Sequence, residues 1–119
     1  MSQELKGICA AACTPMSDDG SSVDYDRLKT HLDTLVEAGV HIIAVCGGTG
    51  EFPFLSTEEK RKIAEVAARH IGGRAKLIVQ SSAIRTEDAI EASRHAEDLG
   101  ADALLVLPPY FEGPTPDGV

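Results

Sequence analysis

The 119 residues read as an α/β fold built from repeated β/α units around a parallel sheet. Three observations carry that expectation. Short apolar runs alternate with stretches of helical periodicity from Ile8 to Leu107. The clearest run, Ile42 to Cys46, is continuously apolar rather than alternating, as in strands covered on both faces. One grammar also occurs twice. Glu37-Ala38-Gly39-Val40-His41-Ile42-Ile43-Ala44-Val45 parallels Asp98-Leu99-Gly100-Ala101-Asp102-Ala103-Leu104-Leu105-Val106, each a helix end, a glycine and a strand. Two architectures satisfy this pattern, a doubly wound open sheet and a (β/α)8 barrel.

The first strand is Ile8 to Cys13, ending at Thr14-Pro15, and Asp18-Asp19-Gly20 marks a turn after it. Asp24 can cap a first helix whose inner stripe is Leu28, Leu32, Leu35 and Val36, and Gly39 ends it. Ile42 to Cys46 is the second strand. Ser56 and Glu59 have capping-box spacing for a second helix with inner stripe Ile63, Val66, Ala67 and Ile71. Leu77-Ile78-Val79 forms a third strand. Thr86 opens a third helix with Ala89, Ile90, Ser93, Ala96 and Leu99 at helical spacing, and Gly100 stops it. Ala103 to Leu107 is the fourth strand. A (β/α)8 barrel takes about 250 residues, so four strands and three helices read as the first half of one, spanning residues 1–119 as a partial single domain.

Composition narrows the function classes. A net charge of −8 leaves no basic patch for nucleic acid. No apolar run is long enough to span a membrane, and the start of the chain has no signal-peptide pattern, so a cytoplasmic location is expected. Cys9, Cys13 and Cys46 lie in apolar segments and read as buried free thiols in a reducing compartment. His31, His41, His70 and His95 show no metal-ligand spacing.

Gly47-Gly48-Thr49-Gly50-Glu51 is the segment richest in chemistry. It follows the second strand and precedes the second helix, so the order is strand, glycine-rich turn, helix. Glycines let a backbone approach a ligand and reach conformations closed to other residues. Free N–H groups in such a turn can hold an anion, with the Thr49 hydroxyl beside them. The plainer alternative is a tight βα turn whose glycines serve sterics alone. Glu51 is a candidate site acid or a partner of the next helix start. Phe52 and Phe54 are expected to pack the end of the sheet, with a place in the substrate wall as the second reading, and Ser81 and Ser82 either line the rim or form a turn.

Thr14-Pro15 at the end of strand one, Gly47 to Glu51, and Leu107-Pro108-Pro109-Tyr110-Phe111 after strand four together resemble the dihydrodipicolinate synthase / N-acetylneuraminate lyase family, over about Gly7 to Gly118. The resemblance implies the N-terminal half of a (β/α)8 TIM barrel of about four β/α units. It implies a Schiff-base-forming, class I aldolase-type enzyme acting on pyruvate or another 2-keto acid without cofactor or metal, as a homo-oligomer. By the same resemblance Gly48 and Thr49 bind the keto-acid carboxylate, Gly47, Gly50 and Glu51 support them, and Tyr110 and Phe111 line a dimer interface or the site rim. The family's Schiff-base lysine belongs on strand six and its catalytic tyrosine at the end of strand five, beyond these four strands. Lys6, Lys29, Lys60, Lys62 and Lys76 match neither place and read as surface lysines, Lys76 at the opposite end of the barrel.

In true dihydrodipicolinate synthases a Thr-Thr pair and a Tyr-Tyr pair serve a proton relay, and here Gly48 and Phe111 stand at the matching positions without a hydroxyl. That departure points toward a 5-keto-4-deoxyglucarate dehydratase-like branch. A non-catalytic half-barrel that binds anions or self-associates is the reading from a different class.

Overall fold

The computed structural model describes residues 4–108, 110, 111, 113 and 115–118. Pro109 of the last motif and Met1 to Gln3 lie outside the described residues. The elements run β1 (Cys9–Ala11), α1 (Tyr25–Glu37), β2 (Ile42–Val45), α2 (Thr57–Ile71), β3 (Lys76–Gln80), α3 (Thr86–Asp98) and β4 (Ala103–Leu105), with short 3-10 turns at Phe52–Phe54 and Pro116–Gly118. All three expected helices and all four strands are present, the outer strands shorter than their apolar runs.

Local chemistry sets the helix starts. The Asp24 carboxylate accepts from the Arg27 N–H at 2.9 Å. Ser56 and Glu59 complete the capping box in both directions, at 3.1 and 2.9 Å. No side chain caps α3, where Arg85 holds the N-cap position.

The sheet order is β1-β2-β3-β4, every pair parallel. This order separates the two architectures. A doubly wound sheet reverses direction from its first strand, whereas a barrel adds each strand beside the last. Right-handed crossovers in one direction put every helix on the same face. The register bears this out. Ile43 lies beside Leu77, and Val45 beside Val79 and then Leu104. Ile43, Val45, Leu77 and Val79 share one core with Leu28 and Leu32 of α1, Ile63, Ala67 and Ile71 of α2 and Ala96 of α3. Alternation puts Ala11, Ala44, Ile78 and Ala103, also in register, on the opposite, concave face.

Cys9 and Cys13 correct a sequence expectation. Both thiols are exposed and only Cys46 is buried. Cys9, Ala11 and Cys13 alternate with Ala12, which belongs to the helix-facing core, so the two cysteines fall on the concave side, which the described residues leave uncovered. Ile90, one of the residues at helical spacing in α3, is exposed, in a groove between α3 and Leu104 and Val106 of the fourth strand segment. Phe54 is exposed too, while Phe52 is buried as expected.

The N-terminal end of the sheet is tied by polar contacts. His41 Nδ1 accepts from the Ile8 N–H at 3.0 Å. Between α1 and α2, Asp33 Oδ1 meets His70 Nε2 at 2.9 Å and Arg74 Nη2 at 2.8 Å, which holds the Asp33 carboxyl below its usual range.

Candidate active site

The segment Gly47 to Glu51 leaves the C-terminal end of β2, the end at which barrel enzymes place their chemistry. Its backbone solves the turn in a way the sequence did not suggest. Gly47, Gly48 and Gly50 do not take up left-handed φ. Two non-glycine residues do, Cys46 at φ 58° and Glu51 at φ 61°, one on each side of the turn. Such conformations cost about 1–3 kcal/mol each and persist where the surroundings over-determine them.

The glycines serve space instead. A Cβ on Gly50 would lie 3.2 Å from Ala12 O and from the Cys46 Cα and N, so the turn is seated directly on the end of β1. A Cβ on Gly47 or Gly48 would meet nothing within 4 Å. At Gly48 the missing side chain leaves open room at the exposed edge of the turn.

Three hydrogen bonds hold this shape. The Glu51 N–H donates to Gly48 O at 3.0 Å and the Phe52 N–H to Gly47 O at 3.4 Å. The Thr14 hydroxyl, buried at the end of β1, donates to Gly50 O at 2.7 Å. The N–H groups of Gly48 and Thr49 and the Thr49 hydroxyl have no partner among the described residues, and both residues are exposed. Two adjacent free N–H groups with a hydroxyl beside them can accept a carboxylate. Thr14 was noted in the sequence as the end of strand one, and its role in holding the turn went unseen because the bond spans 36 residues.

The other candidates sort clearly. The Glu51 carboxylate is exposed and makes no cap bond to the Phe52–Phe54 turn, so the helix-start reading of its side chain is not met. Tyr110 packs edge-on against Phe52, ring centroids 5.7 Å apart, on its own chain. Phe111 is 81% exposed. Ser81 accepts from Ser93 Oγ at 2.9 Å and Ser82 from the Leu107 N–H at 2.6 Å, which makes both of them ties between β3, α3 and the end of β4.

Cys46, 1% exposed at the root of the turn, has its thiol pushed up to about 12 by burial, so it stays protonated and inert as a nucleophile at neutral pH. Lys76 opens β3 at the end opposite the turn, and Lys62 lies 4.3 Å over the Tyr25 ring on the helical side. Among the described residues no three His, Cys, Asp or Glu side chains gather as a metal site, and no helix is long and apolar enough to cross a membrane. A cavity of about 140 Å³ lies between α2 and α3, lined by Thr57, Gln80, Glu91 and His95 among others, and no residue of the turn lines it.

The dihydrodipicolinate synthetase family matches residues 4–119. The chain belongs to that family. The 4-hydroxy-tetrahydrodipicolinate synthase of Methanocaldococcus jannaschii is 41% identical over 115 residues, 97% of this chain and 39% of the relative. The structure of Proteus mirabilis N-acetylneuraminate lyase superposes with a TM-score of 0.88 at 35% identity, over 97% of this chain and 39% of that one. A prophage protein of E. coli K12, described as belonging to the dihydrodipicolinic acid synthase family and solved in complex with pyruvate, superposes at 0.85 with 31% identity, over 92% of this chain and 36% of that one. The chain thus spans about two-fifths of the length of the relatives it matches. The family is one of aldolase-type synthases and lyases, and its members' TIM barrels supply the frame of which these four strands are the N-terminal portion.

Proposed function

We propose that residues 1–119 are the first half of a TIM-barrel enzyme that takes pyruvate or another 2-keto acid as a Schiff base on a lysine, then makes or breaks a carbon–carbon bond beside it. The observation that carries this reading is the pair of unpartnered N–H groups of Gly48 and Thr49, with the Thr49 hydroxyl, at the C-terminal end of β2. They would hold the keto-acid carboxylate. A fixed carboxylate aims the neighbouring carbonyl at the lysine, and the resulting imine withdraws electrons so that the adjacent carbon can lose a proton or a substituent. Gly47, Gly50 and Glu51 support the cradle, and Tyr110 and Phe111 form its rim or a contact between subunits of a homo-oligomer. The exposed ring of Phe111 suits such a contact. The reading needs no cofactor and belongs to a cytoplasmic enzyme.

The lysine must come from strands beyond these four. The relatives named above are a synthase, a lyase and a pyruvate-binding protein, which favours condensation or cleavage over the dehydratase chemistry suggested by Gly48 and Phe111, and over a non-catalytic half-barrel. Borohydride reduction in the presence of pyruvate tests the proposal. A complete barrel carrying these residues should gain a reduced pyruvate adduct on a lysine outside them, and residues 1–119 alone should gain none. An adduct on Lys6, Lys29, Lys60, Lys62 or Lys76 would contradict it.

A further inference from the structure

Among the described residues, one hydrogen bond reaches the Gly47–Glu51 turn from outside its own local stretch, and it comes from Thr14. From this we infer that Thr14 is the positioning residue of the turn, setting through Gly50 the direction in which the Gly48 and Thr49 N–H groups point. The inference rests on the carboxylate reading of that turn for its functional consequence, and on geometry for its cause.

The geometry is specific. Thr14 is 8% exposed and its hydroxyl donates to Gly50 O at 2.7 Å. The Gly50 carbonyl belongs to the peptide that leads into Glu51, the left-handed residue at φ 61°. An oxygen held on that carbonyl fixes the peptide plane next to a conformation that Glu51 does not favour by itself. On the other flank, Cys46 is left-handed and buried. The seat beneath the turn directly follows β1: Ala12 O faces the position where a Gly50 Cβ would stand, and the Ala12 N–H is bound to Ala44 O at 2.9 Å. The end of β1 is in turn fixed from α1, where His31 Nε2 accepts the Cys13 N–H at 3.1 Å. A rigid strand end therefore presents one hydroxyl to one carbonyl of a strained turn. The turn's own bonds, from Glu51 and Phe52, close it locally but do not orient it against the sheet.

The variants Thr14→Val and Thr14→Ser separate positioning from bulk. Val keeps the branched shape and deletes the donor, leaving Gly50 O buried without a partner. Ser keeps the donor. Amide NMR spectra of a complete barrel that carries these residues supply two readouts. Without ligand, the Gly48, Thr49 and Glu51 resonances should move in Thr14→Val and return close to their original places in Thr14→Ser. With pyruvate, the dissociation constant read from the Gly48 and Thr49 amides should rise about tenfold in Thr14→Val, as expected for a lost buried hydrogen bond, and stay within about twofold in Thr14→Ser. Turn resonances that ignore Thr14→Val, or pyruvate affinity that is unchanged by it, would overturn the inference, even if the variant is less stable. Failure of Ser to restore the spectrum would overturn the role of the hydroxyl. Wild-type Gly48 and Thr49 amides that do not respond to pyruvate at all would instead overturn the carboxylate reading itself.

Discussion

Replacing Gly50 by alanine isolates the claim that the turn is seated on the end of β1. The added Cβ would stand 3.2 Å from three backbone atoms, Ala12 O and the Cys46 N and Cα. None is the free end of a side chain. Ala12 is held in the sheet ladder through its N–H, and Cys46 is already buried in a left-handed conformation. Relief must come from moving the turn or the strand end, and forced overpacking of this kind costs about 1–3 kcal/mol. The φ of Gly50 is not left-handed, so alanine also gains about 0.4–1 kcal/mol by restricting the unfolded chain. The net expectation is a loss of up to about 2.6 kcal/mol, about 1.3 kcal/mol at the midpoints of the two ranges. Gly48→Ala is the internal control. Its Cβ meets nothing within 4 Å and its φ is not left-handed either, so that variant should be neutral or gain up to about 1 kcal/mol. Urea unfolding of both variants beside the wild type reads the difference. Equal stability of Gly50→Ala and wild type, or equal losses in both variants, would refute the reasoning.

Other expectations concern the cysteines and the open faces. Brief iodoacetamide treatment of the native chain should alkylate Cys9 and Cys13, which are exposed, and spare Cys46, with the third label appearing only in denaturant; mass spectrometry of peptides decides this. Burial raises the Cys46 thiol from 9.0 to about 12, so the unfolded thiol ionises in that interval while the folded one does not. Stability should therefore fall as pH rises from about 9 to 12, by up to about 1.4 kcal/mol per pH unit from this group, and Cys46→Ala should flatten that slope relative to wild type. Among the described residues, β1 and β4 each pair on one side only, and Ile8, Leu105, Val106 and Leu107 are exposed. Residues 1–119 should therefore self-associate, and sedimentation showing a monomer at high concentration would contradict an open half-barrel.

The frame of the molecule was legible because it is local. Strand and helix positions follow from apolar runs, helical stripes and caps such as Asp24 and the Ser56–Glu59 box, each readable within a few residues. The glycine-rich turn was legible as a candidate site for the same reason. What escaped depends on which elements meet. The Thr14–Gly50 bond joins residues from different strands. The exposure of Cys9, Cys13 and Ile90 depends on which face of the sheet or flank of the helix finds cover, not on the residues themselves. The backbone of the turn was misjudged in kind. Glycines suggested left-handed φ inside it, whereas Cys46 and Glu51 carry that conformation and the glycines supply clearance. Choosing between barrel and doubly wound sheet likewise needed the lateral order of strands, which periodicity does not encode.

The central claim, that the Gly47–Glu51 turn holds the carboxylate of a 2-keto acid, is tested most directly by Thr49→Val in a complete barrel that carries these residues. Valine keeps the branched shape of threonine and removes only the hydroxyl. A hydrogen bond to a charged group is worth roughly 1.5–3 kcal/mol, so kcat/KM with pyruvate as the keto acid should fall at least about tenfold. Gly48→Thr, whose side chain has room, should fall less. If Thr49→Val leaves kcat/KM unchanged, the turn is a structural connection only, and the account of the site is contradicted.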